Sequence, residues 1–359
     1  MITLLAGGNV WTLPFENQFL LWLQSLGGRF SLLYYVMNLF SFMGESVFIA
    51  LLLIVVYFAV DKYKARQICF TLCPSLLTTT FIKDLVCRAR PFNSGVGIEN
   101  FRNVGGYSFP SGHSTNAAAT YGGTAIAFHD KRRKWLTVVC IALPLLVALS
   151  RNYVGAHYPS DVIAGLAIGT AFAFGIAKLF AVVNNKYYIY GGALAVFAVG
   201  LFFATDSNYF TMYGLMCGLF AAFVFDDKVA KFETTKVWWR VILRIVGALL
   251  VMLLLDTLIK LPFNNMLYYT TARPQEEHDA MYRGANAFDK FFLDLQGLKT
   301  IKHVYSDMRV AERIFRTIRY AVISFVVAGI YPMLFAPTEK LWKKLGWIKA
   351  DAETTATTV

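Results

Sequence analysis

Residues 47–60 read Val-Phe-Ile-Ala-Leu-Leu-Leu-Ile-Val-Val-Tyr-Phe-Ala-Val, a run with no charged side chain. Such a run cannot face water on any side of a helix. It reads as the interior of a membrane span, which needs about 20 mostly apolar residues. Similar blocks recur along the chain, among them Ala321–Phe335 (AVISFVVAGIYPMLF). The whole chain has 359 residues, is 57% apolar and 16% charged, and carries a formal net charge of +12. Soluble domains average about a quarter charged. The pattern excludes a collagen, a disordered tail, a disulfide-rich module and an ordinary water-soluble enzyme.

Nine candidate spans follow: 44–60, 66–82, 114–128, 135–149, 160–182, 188–204, 209–225, 237–262 and 316–336. Residues 17–42 mix Gln18, Gln24, Arg29 and Asn38 with Leu, Phe and Trp, which predicts an interfacial or re-entrant amphipathic segment. The expected fold is an all-α polytopic membrane helix bundle. Its expected parts are an N-terminal interfacial segment (1–43), a core (44–187), a C-terminal transmembrane extension (188–345) and a disordered tail (346–359). Five cysteines lie mostly inside apolar blocks and read as buried small side chains, not as a disulfide framework. No basic start of a cleavable signal peptide is evident in MITLLAGG.

The loops are of two kinds. Those at 61–66, 130–134 and 226–236 are short and basic; those at 84–113 and 150–159 are rich in Gly, Pro and Ser. Basic short loops mark the cytoplasmic side, so the second kind is expected outside, in a plasma membrane. The segment 263–315 opposes that simple alternation. It would fall outside by parity, yet it carries seven Lys and Arg among its acidic residues. It is a candidate lid.

Three polar clusters sit at span ends on the expected outer face. Lys83 is followed after six residues by Arg90-Pro91; Ser111-Gly112-His113 opens the helix at 114; Ser150-Arg151 is followed by His157 and Asp161. Three cations at one surface suit a phosphate dianion, and guanidinium groups match its oxygens in pairs. A helix N-terminus at Ser111-Gly112 offers free backbone N–H groups to an anion, with the Ser111 hydroxyl as a donor or N-cap. Asp161, four residues after His157, can accept the Nδ1 proton and leave Nε2 as a nucleophile. His113 can protonate the leaving oxygen and later take a proton from water. The chemistry expected is phosphoryl transfer through a phosphohistidine, resting on positioning and charge neutralisation without a metal.

These three motifs, in this order at helix ends, resemble the tripartite signature of the type 2 phosphatidic acid phosphatase superfamily, on its membrane lipid phosphatase and polyprenyl diphosphate phosphatase branch. The likeness covers roughly residues 44–182 and departs at no signature position. It implies His157 as nucleophile, Asp161 as its partner, His113 as acid and base, and Lys83, Arg90, Ser111, Gly112 and Arg151 as phosphate ligands. It implies no cofactor. The expected substrate is a bilayer lipid phosphate or diphosphate, such as phosphatidic acid, phosphatidylglycerophosphate or undecaprenyl diphosphate. A soluble sugar phosphate, phosphotransfer to an alcohol, and lipid carriage without chemistry are the competing readings. Arg88 reads equally as a headgroup contact or a surface cation. Asp84 and Glu45 have no assigned role, and Glu276, Glu277, His278 and Asp279 read as a solvated loop. Asp256 and Lys260 read as a mutual pair.

Overall fold

The computed structural model describes residues 11–102, 104–270 and 301–338. Most of the segment 263–315, with Glu276–Asp279 inside it, and the tail 346–359 lie outside the described residues. Within them the chain is helical and contains no strand. The helices are α1 (Glu16–Ser25), α2 (Leu32–Met43), α3 (Ser46–Val55), α4 (Lys62–Val86), α5 (Gly112–Ala127), α6 (Lys134–Tyr153), α7 (Pro159–Val182), α8 (Lys186–Ala198), α9 (Ser207–Phe225), α10 (Trp238–Thr270) and α11 (Ile301–Phe325).

The helix starts follow local chemistry. The Asp61 side chain caps α4 by accepting from the backbone N–H groups of Tyr63 and Lys64. Asn185 and Asp206 cap α8 and α9 in the same way, and Pro159 opens α7 where no backbone donor is needed. Helix α4 ends at Cys87, whose φ is +49°. The turn between α6 and α7 depends on Gly155, at φ +73°. A Cβ there would meet the Glu99 carbonyl at 2.2 Å.

Among the described residues six helices are long and apolar enough to cross a membrane, or seven if α2 and α3 with its continuation to Val60, bent by 56°, form one span. That is fewer than the nine expected, for two reasons. Helix α8 is short even with its final turn to Phe202. Helix α5 has 16 residues and sits among α4, α6 and α7, burying Thr115, Ala117, Ala118, Ala119 and Thr120. It faces protein instead of lipid, so it needs small side chains more than apolar ones. The Gly165-x-x-x-Gly169 pair of α7 makes the close approach. A Cβ on Gly169 would lie 2.6 Å from the Thr115 carbonyl oxygen and 2.7 Å from the Ala118 Cβ.

The C-terminal helices form a second group, in which α9 packs along α11. The apolar stretch of α10 is only 11% buried, so most of it faces outward. Asp256 of α10 holds Lys260 at 3.0 Å as expected, and also pairs with Arg319 of α11. Asp84, at the end of α4, accepts from the backbone N–H groups of Thr205 and Asp206 at 2.7 and 2.8 Å, which ties the core to this extension. At the opposite end, buried Asp226 pairs with Arg66 and with Lys62. The basic loops therefore carry internal partners.

Replacing Gly169 by Val should destabilise the detergent-solubilised protein by roughly 1–3 kcal/mol through overpacking. Gly175→Ala, on the same helix with nothing within 4 Å of its Cβ, should stay within about 0.5 kcal/mol. Thermal unfolding of both variants compares them; equal effects would contradict the α5–α7 contact.

Candidate active site

The three clusters converge at one end of the bundle. Lys83 comes from the last turn of α4, and its Nζ donates to the Tyr107 and Ser108 carbonyls at 2.9 and 3.4 Å. Arg90 donates to the carbonyls of Gly105, Gly106 and Ala156 at 2.6–3.2 Å. Arg151, in the last turn of α6 and 1% exposed, donates to the Ser41 hydroxyl, and its Nε has no hydrogen-bond partner among the described residues. All three cations are held mainly by neutral oxygens. Their charge is therefore not cancelled on the spot.

His157 lies in the turn before α7 and is 2% exposed. Its Nε2 is 3.4 Å from Arg90 Nη1, and its carbonyl accepts from Asn152 Nδ2 at 2.9 Å. Burial, reinforced by Arg90, Lys83 and Arg151, pushes its imidazole well below the ordinary value of 6.5. Burial also lowers the Arg90 guanidinium to about 10, partly offset by Asp161. The ring of His157 is thus neutral at neutral pH, with Nε2 turned toward a guanidinium.

The expected hydrogen bond from His157 to Asp161 is not made. Nδ1 stands 3.7 Å from Asp161 Oδ2 and has no hydrogen-bond partner among the described residues. The reason is that both carboxylate oxygens are engaged elsewhere. Oδ2 accepts from the Tyr158 N–H at 2.8 Å and from the Ser108 hydroxyl, and Oδ1 from Arg88 at 2.5 Å. Asp161 is beside the histidine, as its spacing implied, but it is bonded to other groups.

Ser111 is the N-cap of α5: its Oγ accepts from the Ser114 N–H at 3.4 Å. A Cβ on Gly112 would meet nothing within 4 Å, so this helix start borders open space. His113 follows, within electrostatic reach of Arg151, His157, Arg102 and Arg90.

Several residues here carry no signature spacing. Arg88 is fully buried, not a surface cation. Arg102 donates to Ser41 at 3.0 Å and pairs with Glu45 at 2.6 Å. Ser41 of α2 thus joins Arg102 and Arg151. Gln24 of α1 bonds the backbone of Glu99 and Tyr153. The N-terminal helices pack against the site loops. Nothing in residues 16–45 taken alone announces these contacts.

A helical membrane bundle whose cationic, histidine-bearing cup lies at one end is the class this fold and site define. Comparison with known proteins gives the family. Residues 64–184 match the PAP2 superfamily, and residues 210–274 match the transmembrane extension of PAP2 superfamily phosphatases. The chain belongs to the PAP2 superfamily. It is similar to the lipid A 1-phosphatase of Rhizobium johnstonii (40% identity over 117 residues, 31% of this chain and 46% of that one). It is also similar to phosphatidylglycerophosphatase B of Bacillus subtilis (27% identity, 39% of this chain and 71% of that one). The chain spans just under half the length of the first curated relatives it matches. A solved structure, the transmembrane PAP2 type phosphatidylglycerolphosphate phosphatase from Bacillus subtilis, aligns with TM-score 0.41 and 22% identity, over 47% of this chain and 86% of that one.

Millimolar inorganic phosphate should raise the thermal unfolding temperature of the wild-type protein by about 2–4 °C. Arg151→Gln should remove that rise. An undiminished rise in the variant would place the anion elsewhere.

Proposed function

We propose that this protein is an integral-membrane phosphatase that hydrolyses a lipid phosphate or diphosphate through a phosphohistidine on His157. The observation that carries the reading is the buried, neutral imidazole of His157 with Nε2 3.4 Å from Arg90, beside Lys83 and Arg151. A phosphate drawn in by these cations meets that nitrogen directly. The names of the relatives, which act on lipid phosphates, support the substrate class.

In the first step the Nε2–P bond forms and the bond from phosphorus to the lipid oxygen breaks. Burial and the neighbouring cations hold the His113 imidazole well below 6.5 in the free protein; it takes up a proton with the bound dianion and gives that proton to the departing oxygen. In the second step His113 takes a proton from water, the water oxygen bonds to phosphorus, and the Nε2–P bond breaks to release inorganic phosphate. Lys83, Arg90, Arg151 and the N–H groups at Ser111-Gly112 neutralise the oxygens throughout. We assign these roles to a core spanning 44–187, with 188–345 as a membrane extension. We place the site on the extracytoplasmic side of the plasma membrane, opposite the short basic loops.

His157→Ala should lower the turnover of a lipid phosphate panel by about a thousandfold or more while the protein stays folded. Denatured wild-type protein, quenched during turnover of radiolabelled substrate, should carry alkali-stable, acid-labile phosphate at residue 157. Absence of both effects would remove the covalent mechanism. The pH dependence follows from the direction of the His157 shift. A depressed imidazole stays neutral below pH 6.5, so the acid limb of kcat/KM should lie below that value. A limb at or above 6.5 would contradict the assignment.

A further inference from the structure

Asp161 does not stand alone behind His157. Its Oδ1 is bound by Arg88, which has no exposed surface. Arg88 Nη2 donates to Glu16 Oε2 at 2.7 Å, Nη1 also donates to Ser160 Oγ at 2.7 Å, and Nε donates to the Trp11 carbonyl at 3.0 Å. The rings of Trp11 and Tyr158 lie against the guanidinium, with centroids 3.8 and 4.0 Å from Cζ. Glu16 is equally buried. Its Oε1 accepts from the Ser160 N–H and hydroxyl at 2.9 and 2.5 Å, and its Oε2 also accepts from the Leu13 N–H at 2.9 Å.

A fully buried guanidinium joined to two fully buried carboxylates is a costly way to anchor a helix, since apolar side chains would do that without desolvating charge. What the arrangement adds is control of Asp161. Arg88 holds one oxygen in place, which keeps the other turned to Ser108, to Tyr158 N–H and to the edge of His157. It also offsets the charge that the imidazole meets.

We infer that Arg88 and Glu16 are positioning residues, through which the N-terminal helix holds the Asp161 carboxylate in register with His157 and sets its net charge. The inference rests on His157 being the nucleophile. The charged groups around that imidazole are Lys83 from α4, Arg90 from the following loop, His113 from α5, Arg151 from α6 and Asp161 from α7, with Arg102 farther off beside Arg151. Arg88 and Glu16 form the layer behind Asp161.

The test is a charge cycle read on the full-length protein in detergent micelles. The probe is carbon-13-labelled histidine followed by NMR, with the His157 resonance assigned by its loss in His157→Asn. Glu16, Arg88 and Asp161 together carry one negative charge. Arg88→Met makes it two, and should raise the His157 titration midpoint by about one pH unit. Glu16→Gln makes it zero, and should move the midpoint the other way. The double variant restores one negative charge and should return the midpoint close to wild type. Singles that shift alike, or that do not shift, would overturn the inference, because a purely structural anchor predicts no dependence on the sign of charge. Should Arg88→Met fail to accumulate as folded protein, Glu16→Gln decides alone, and an unmoved or raised midpoint overturns the inference. The titration needs no turnover. A wild-type protein inactive on every lipid phosphate would defeat the proposed activity and leave this cycle to decide the positioning role.

Discussion

Gathering like charges at the edge of a low-dielectric slab is unfavourable, and the architecture at this end of the bundle answers that constraint. Lys83, Arg90 and Arg151 repel one another and lose hydration. Carboxylates could steady them, but would also cancel their charge. The chain uses carbonyl and hydroxyl oxygens instead: Tyr107 and Ser108 for Lys83, Gly105, Gly106 and Ala156 for Arg90, and Ser41 for Arg151. These dipoles satisfy the donors and leave the positive charge unspent. Asp161, the carboxylate beside His157, is occupied by Arg88, so it does not collapse onto the cup.

That solution demands loops of defined shape. Three carbonyls can reach Arg90 only if the stretch 105–106 and the turn at Gly155 fold back over the helix ends. The loops in turn need a firm base, which the tight seam between α5 and α7 supplies. Small residues let those two backbones approach, so the N-termini of both helices, carrying Ser111 and Asp161, open side by side. A backbone hydrogen bond from the Ser111 N–H to the Asp161 carbonyl at 3.0 Å joins them directly.

Much of this was legible in the sequence, because it is encoded by spacing. Lys83, Arg90, Ser111, Gly112, His113, Arg151, His157 and Asp161 stand at helix ends, and helix ends can be read from caps, prolines and changes in polarity. Hydropathy was a weaker guide to the spans, since it cannot distinguish a helix that faces lipid from one that faces neighbours. Helix α5 shows this: Ser114, Thr115, Ala117, Ala118, Ala119 and Thr120 are buried where it packs among α4, α6 and α7. The outer ring of the site was illegible for a different reason. Glu16 and Arg88 are 72 residues apart, and Ser41 and Arg151 are 110 apart. No local pattern records such pairs. The spacing of His157 and Asp161 gave their nearness correctly but not their partners, because Arg88, Ser108 and Tyr158 compete for the same oxygens.

The span of those contacts bears on how the molecule is made. Glu16 and Ser160, bonded in the finished fold, are 144 residues apart. Synthesis delivers the acidic side chain first, then Arg88, and the α7 start last. Until α7 arrives, the early pair lacks two of its acceptors and donors and has no reason to leave water. This corner can therefore close only once α7 is in place, and not when the N-terminal helices are made.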